Sequence, residues 1–174
     1  MRSDPGPFEA TFDAHWEAVS RYAARRVAPE AVQDVVSETF LVAWRRYDEL
    51  NGEPLPWLLG IARRVAANQR RAGARRSALL ERLRGAAACE GRGELPPGDR
   101  QLAAAWAQLG ERDREALMLV AWDGLGHRDA ARVLGCSTSA FTVRVHRARS
   151  RLARLLGRDE KGSIELPTEA RSLT

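Results

Sequence analysis

The stretch "RGAAACEGRGELPPGD", Arg84 to Asp99, most constrains how this chain can fold. It holds four Gly and two Pro and has no apolar periodicity, so neither a helix nor a strand can be read through it. On both sides lie long segments whose apolar residues recur every three or four positions, and no segment alternates with a period of two. The pattern predicts an all-α protein of two small helical domains, over about 8–80 and 101–157, joined by a flexible linker over 81–100. A linker of that length has a root-mean-square span of roughly 25–30 Å, so the two domains can engage separate sites. Residues 158–174 are expected to form a disordered tail.

Charge is distributed as unevenly as glycine. The 174 residues carry a formal net charge of +5, and Lys161 is the one lysine among 28 basic residues. A GC-rich coding sequence favours arginine whatever the function, so the identity of the cations says little. Their clustering says more. Residues 61–76 hold six Arg and no acid, and residues 130–158 hold seven Arg and no acid. Those two stretches carry thirteen positive charges, leaving a net −8 on the remainder of the +5 chain. Two basic patches on an acidic body point to a polyanionic partner.

In the first domain, "VQDVVSETFLVAWRRY" places Val32, Val35, Val36, Phe40, Ala43, Trp44 and Tyr47 at helical spacing, which predicts one buried stripe. Asp34, Glu38, Leu41 and Arg45 repeat the spacing on another face, with Leu41 among charges. Asn51, Gly52 and two prolines then interrupt the helix. It resumes near Leu55, with Trp57, Leu58, Ile61, Val65 and Asn68 near one stripe. Arg63, Arg64, Asn68, Gln69, Arg70 and Arg71 form a cationic surface. A basic helix beside an open loop is a suitable platform for single-stranded nucleic acid.

The second domain contains "HRDAARVL", the turn "GCS", and a long helix from Thr138. Two helices joined by a short Gly-led turn predict a helix-turn-helix. Along the last helix Phe141, Val145, Ala148, Leu152 and Leu155 form an apolar stripe. Ser139, Thr142, Val143, His146 and Ser150 fall roughly opposite, and Arg144, Arg147, Arg151 and Arg154 line one flank. Small outer residues let a helix approach a major groove, while flanking arginines hold phosphates.

Other chemistry finds little support. Cys89 and Cys136 form no zinc or disulfide framework, and His15, His127 and His146 lack ligand spacing. No metal or cofactor is expected. Asp34 and Glu38 have neither an apolar pocket nor a nucleophile beside them, so an enzyme is not expected. The sequence shows no apolar signal segment and no run long enough to span a membrane, so the expectation is a cytoplasmic protein.

"VQDVVSETFLVAWRRYDELNG...PWLLGIARRVAANQRR" resembles the second conserved region of bacterial RNA polymerase sigma factors. "LGERDREALMLVAWDGLGHRDAARVLGCSTSAFTVRVHRARSRL" resembles the fourth. The two, joined by a short linker from about Phe12 to Leu156, resemble the compact extracytoplasmic-function (ECF) group. The resemblance implies binding to core RNA polymerase, at the β′ clamp through Asp34, Glu38, Leu41 and Trp44, and also at the β flap. It implies capture of the unpaired minus-ten strand by Asn51, Gly52, Glu53, Arg63, Arg64, Asn68 and Arg71. It implies minus-thirty-five recognition by Ser139, Thr142, Val143, Arg144, His146, Arg147 and Arg151. Promoter DNA and an anti-sigma factor are the further partners implied.

The chain departs from the family pattern in three places. Thr142 and Val143 stand where a cation and a serine are common, and Val143 cannot hydrogen-bond a base edge. Gln33 and Ser37 thin the acidic docking face. Gly126 stands where Ser or Thr would cap the first helix of the turn motif, a position Gly also accepts. Two further readings remain open: a conventional DNA-binding regulator, and an interaction protein of sigma ancestry whose DNA readout has drifted.

Overall fold

A computed structural model describes residues 6–84 and 100–157, with side chains over 6–74 and 100–157. The expected linker beyond Arg84, with Cys89, and the tail from 158 lie outside the described residues. Every described element is helical, and the chain divides into two compact units, Met1–Glu94 and Leu95–Thr174.

The first unit contains α1 (Pro7–Ala24), α2 (Pro29–Arg45), a 3-10 turn (Tyr47–Glu49) and α3 (Pro54–Arg84). Each α-helix of this unit begins at a proline, where the missing N–H would have had no helical partner. At the start of α1, Glu9 Oε2 accepts the Gly6 N–H at 2.9 Å. Between α1 and α2, Pro29 disfavours helical geometry at Ala28, which is extended at φ −63° and ψ 150°. After the 3-10 turn, Gly52 adopts φ +92°, a left-handed value that glycine reaches without a Cβ clash. Pro54 then restarts the chain as α3. That helix runs through Arg84, four residues into the stretch read from sequence as linker.

The three helices of this unit pack on one another in all pairs. Their core is Val19, Tyr22 and Ala23 of α1, Val35, Val36, Phe40 and Ala43 of α2, and Leu58, Leu59, Ile61, Ala62, Val65 and Ala66 of α3. Fully burying one such aliphatic side chain contributes about 1.5–3 kcal/mol. Thr39 is buried among them, and its Oγ1 donates to Val35 O at 2.6 Å, so no polar valence is stranded.

Trp44 corrects the sequence-derived stripe. It is 62% exposed, whereas Phe40, one turn earlier, is 4% exposed. On a helical wheel Trp44 lies about 40° beyond Phe40, far enough to leave the seam that α1 and α3 cover. Val32 and Tyr47 are half-buried. Tyr47 belongs to the 3-10 turn, and its Oη donates to Pro7 O at 2.9 Å while its ring meets Phe8 edge-on. Thr11 Oγ1 also donates to Pro7 O at 2.9 Å. These contacts moor the base of the Asn51–Gly52 loop to the start of α1.

The second unit contains α4 (Arg100–Ala107), α5 (Glu111–Ala121), α6 (His127–Leu134) and α7 (Thr138–Leu155). Phe141, Val145, Ala148 and Leu152 of α7 are buried against Ala116, Leu117 and Leu119 of α5 and Ala130, Ala131 and Val133 of α6. Leu155, at the end of the predicted stripe, is only half-buried. Trp106 and Trp122 meet edge-on with centroids 5.4 Å apart.

The turn between α6 and α7 is built by two local devices. Gly135 takes φ +67° and ψ 39°, letting its N–H reach Arg132 O and the Cys136 N–H reach Ala131 O at 3.0 Å. That pair of bonds closes a Schellman turn and satisfies carbonyls at the helix end. Two residues on, Ser137 Oγ accepts the Ala140 N–H at 3.2 Å and caps α7. The helix-turn-helix geometry thus follows from a Gly and a Ser at the right spacing.

Candidate functional site

Two kinds of surface emerge in the first unit. The outer side of α2 exposes Asp34, Glu38, Leu41 and Trp44 together. Leu41 is 46% exposed and lies one helical turn before Trp44, so exposed apolar surface adjoins exposed carboxylates. Exposed large apolar side chains rimmed by charge are a feature of protein-binding surfaces. The second surface begins where Asn51, Gly52 and Glu53, all exposed, lead into α3. There Arg64, Asn68 and Arg71 share one exposed edge, and Arg71 Nη2 donates to Asn68 Oδ1 at 2.6 Å. Asn68 thus belongs to the polar edge rather than to the apolar stripe. Arg63 lies about a quarter turn away and is half-buried.

The 3-10 turn that opens the loop carries its own ion pair. Arg46 Nε donates to Glu49 Oε1 at 3.0 Å and Nη2 donates to Oε2 at 2.5 Å. This hydrogen-bonded fork holds the Glu49 carboxyl below the usual carboxylate range and raises the Arg46 guanidinium. Both groups are exposed, so the pair shapes the turn more than it stabilises the unit.

In the second unit α7 turns its basic edge outward. Ser139, Thr142, Val143, His146, Arg147 and Arg151 are exposed, and Arg144 is half-buried. Val143 is 47% exposed. A surface groove of about 570 Å³ is lined by Val143, His146, Arg144, Arg147, Arg151 and Arg154, with Asp113 of α5 at its side. Among the described residues none of those four arginines forms an ion pair. Their guanidinium donors remain available to an anionic partner, and guanidinium geometry matches phosphate and guanine edges.

One participant was not legible in the sequence. His127 opens α6, and its Nδ1 lies 3.0 Å from Thr142 Oγ1 while its ring meets Phe141 at 5.5 Å between centroids. Thr142 Oγ1 also donates to Thr138 O at 2.9 Å. Fifteen residues separate His127 from Thr142, so only the crossing of α6 over α7 brings them together. Among the described residues, no group of three or more His, Cys, Asp or Glu could hold a metal, and no helix is long and apolar enough to cross a membrane.

Comparison with known proteins agrees with this arrangement. Residues 11–76 match the family model of sigma-70 region 2, and residues 94–152 match that of sigma-70 region 4. The RNA polymerase sigma factor CnrH of Cupriavidus metallidurans is 34% identical over 169 residues, covering 84% of this chain and 85% of CnrH. The ECF RNA polymerase sigma factor EcfG of Rhodopseudomonas palustris is 33% identical over 135 residues, covering 73% and 72%. Among solved structures, the sigma factor RpoE in complex with the anti-sigma factor NepR, from Bartonella quintana, superposes with a TM-score of 0.64 at 25% identity, covering 87% of this chain and 98% of that one. CnrH in complex with the cytosolic domain of CnrY superposes at 0.59 with 29% identity, covering 86% and 87%. By sequence and by fold, the chain belongs to the extracytoplasmic-function group of RNA polymerase sigma factors.

Proposed function

We propose that this sigma factor binds core RNA polymerase in the cytoplasm, reads minus-ten and minus-thirty-five promoter elements, and promotes the melting that starts transcription. The observation that carries the reading is the separation of surfaces. An apolar and acidic protein-docking face lies on α2, and cationic edges lie on α3 and α7. The α2 face, with Asp34, Glu38, Leu41 and Trp44, suits a polymerase element such as the β′ clamp. The second unit suits the duplex minus-thirty-five element and the β flap. Phosphate contacts from Arg144, Arg147 and Arg151 set register, while Ser139, Thr142, Val143 and His146 face base edges.

Melting needs no nucleotide hydrolysis in this scheme. Extruding a base costs a few kcal/mol of lost stacking and pairing. Contacts made only to the open strand offset that cost, from the Asn51–Glu53 loop and from the α3 edge with Arg63, Arg64, Asn68 and Arg71. The chain acts by binding and carries no catalytic step of its own. The same exposed faces suit an anti-sigma factor, as the complexes of RpoE with NepR and of CnrH with CnrY illustrate for those relatives.

The test mixes the purified full chain with core polymerase and random promoter fragments and sequences the run-off transcripts. Transcripts are expected to share two upstream motifs at fixed spacing. Asp34→Arg with Glu38→Arg abolishes them, and Arg144→Ala with Arg147→Ala weakens them. Tight duplex binding with no polymerase binding would overturn the proposal in favour of a conventional regulator. Polymerase binding without any transcript would mark a chain whose promoter readout has drifted.

A further inference from the structure

Thr142 and Val143 sit side by side on the exposed side of α7, and their chemistry is narrower than their sequence implies. A threonine hydroxyl carries one proton, and Thr142 donates it to Thr138 O at 2.9 Å. The His127 ring nitrogen at 3.0 Å is then the donor, so Nδ1 carries hydrogen and Thr142 Oγ1 accepts it. Phe141, buried beneath, packs edge-on against His127 and steadies the ring. Thr142 therefore has no proton left for an acceptor on a base edge. Val143 never had one, and it is 47% exposed. Between flanking arginines, this step of the helix offers methyl groups where a donor is common. In the major groove, the apolar feature that distinguishes one base is the thymine 5-methyl group.

We propose that Thr142 and Val143 form an apolar reader of a thymine methyl group in the duplex promoter element, with His127 as the positioning residue whose N–H, donated to Thr142 Oγ1, holds the hydroxyl proton on Thr138 O and away from the base edge. This rests on the second unit binding duplex promoter DNA, as proposed above.

The test starts from a promoter selected by run-off transcription with the full chain and core polymerase. Each thymine of its upstream element is replaced singly by uracil, which removes the methyl and leaves every hydrogen-bonding group in place. At one thymine, uracil is expected to weaken binding of the polymerase complex about fourfold, the effect of losing one buried methyl. Val143→Ala, at an exposed position that does not perturb folding, brings that thymine-to-uracil ratio close to one. Thr142→Val preserves it. His127→Ala lowers the ratio, and His127→Asn, whose amide nitrogen can stand in for Nδ1, restores it. A purely structural His127 would weaken binding to both templates alike and leave the ratio unchanged, which overturns its positioning role. A transcribed promoter with no methyl-sensitive thymine, or a ratio that survives Val143→Ala, overturns the reader. Failure to select any promoter overturns the functional reading and this inference with it.

Discussion

Trp44→Ala, made in the full chain, separates stability from docking at a single side chain. A tryptophan buries about 150–250 Å² when fully covered. Trp44 is 62% exposed, so a little over a third of its surface is covered by the protein. At about 25 cal/mol per Å² that covered part is worth roughly 1.5–2.4 kcal/mol, an upper bound because the unfolded chain also covers some of it. The expected loss of stability is about 1 kcal/mol. Phe40→Ala, from a side chain 4% exposed, is expected to cost about 3–5 kcal/mol. The open part of Trp44 is roughly 90–155 Å². Covered by a partner, it contributes roughly 2–4 kcal/mol, or about thirtyfold and more in Kd. The assay pairs urea denaturation of the two variants with titration of labelled core polymerase. A Trp44→Ala variant as unstable as Phe40→Ala would refute the exposed placement. A stable variant with unchanged polymerase affinity would refute the docking role.

Gly135→Ala, at φ +67°, is expected to cost about 1 kcal/mol, and Ser137→Ala a similar amount through loss of the α7 cap; thermal unfolding of the second unit measures both. Arg151→Ala is expected to weaken promoter binding about equally for all sequences. It is also expected to flatten the dependence of log K on log salt by about one unit, the share of a single neutralised phosphate. Binding titrations at several salt concentrations read that slope. The Arg46 fork lowers the Glu49 pKa, so its contribution is complete above the ordinary glutamate value of about 4.3 and is lost as pH falls through the lowered one. Carboxyl chemical shifts followed by NMR are expected to show Glu49 titrating below the ordinary glutamate value, and Arg46→Ala to return it to that value.

Much of the molecule was legible because the signals are local. Helical periodicity marked the α7 stripe of Phe141, Val145, Ala148 and Leu152, and all four are buried. The Gly-led "GCS" stretch announced the turn, since a left-handed residue is a single-residue requirement, whereas the Ser137 cap was seen only in the structure. The two arginine clusters and the exposed Asp34, Glu38 and Leu41 could be placed by counting at about 100° per residue. Positions at the margin of a stripe were not fixed in this way. Trp44 lies at such a margin, where chemistry argues for the core and the width of the α1–α3 seam argues against it. Leu155 fell short of full burial at a helix end for the same reason.

The sequence by itself determined the helical content, the division into two units, the turn, and the faces that carry charge, because each follows from spacing within one segment. The tertiary structure alone decided which marginal apolar residues face solvent, how Tyr47 is moored to Pro7, and that His127 reaches Thr142. Those depend on where one helix crosses another. Crossing is set by the packed surfaces of both partners together, which no single stretch of the chain encodes.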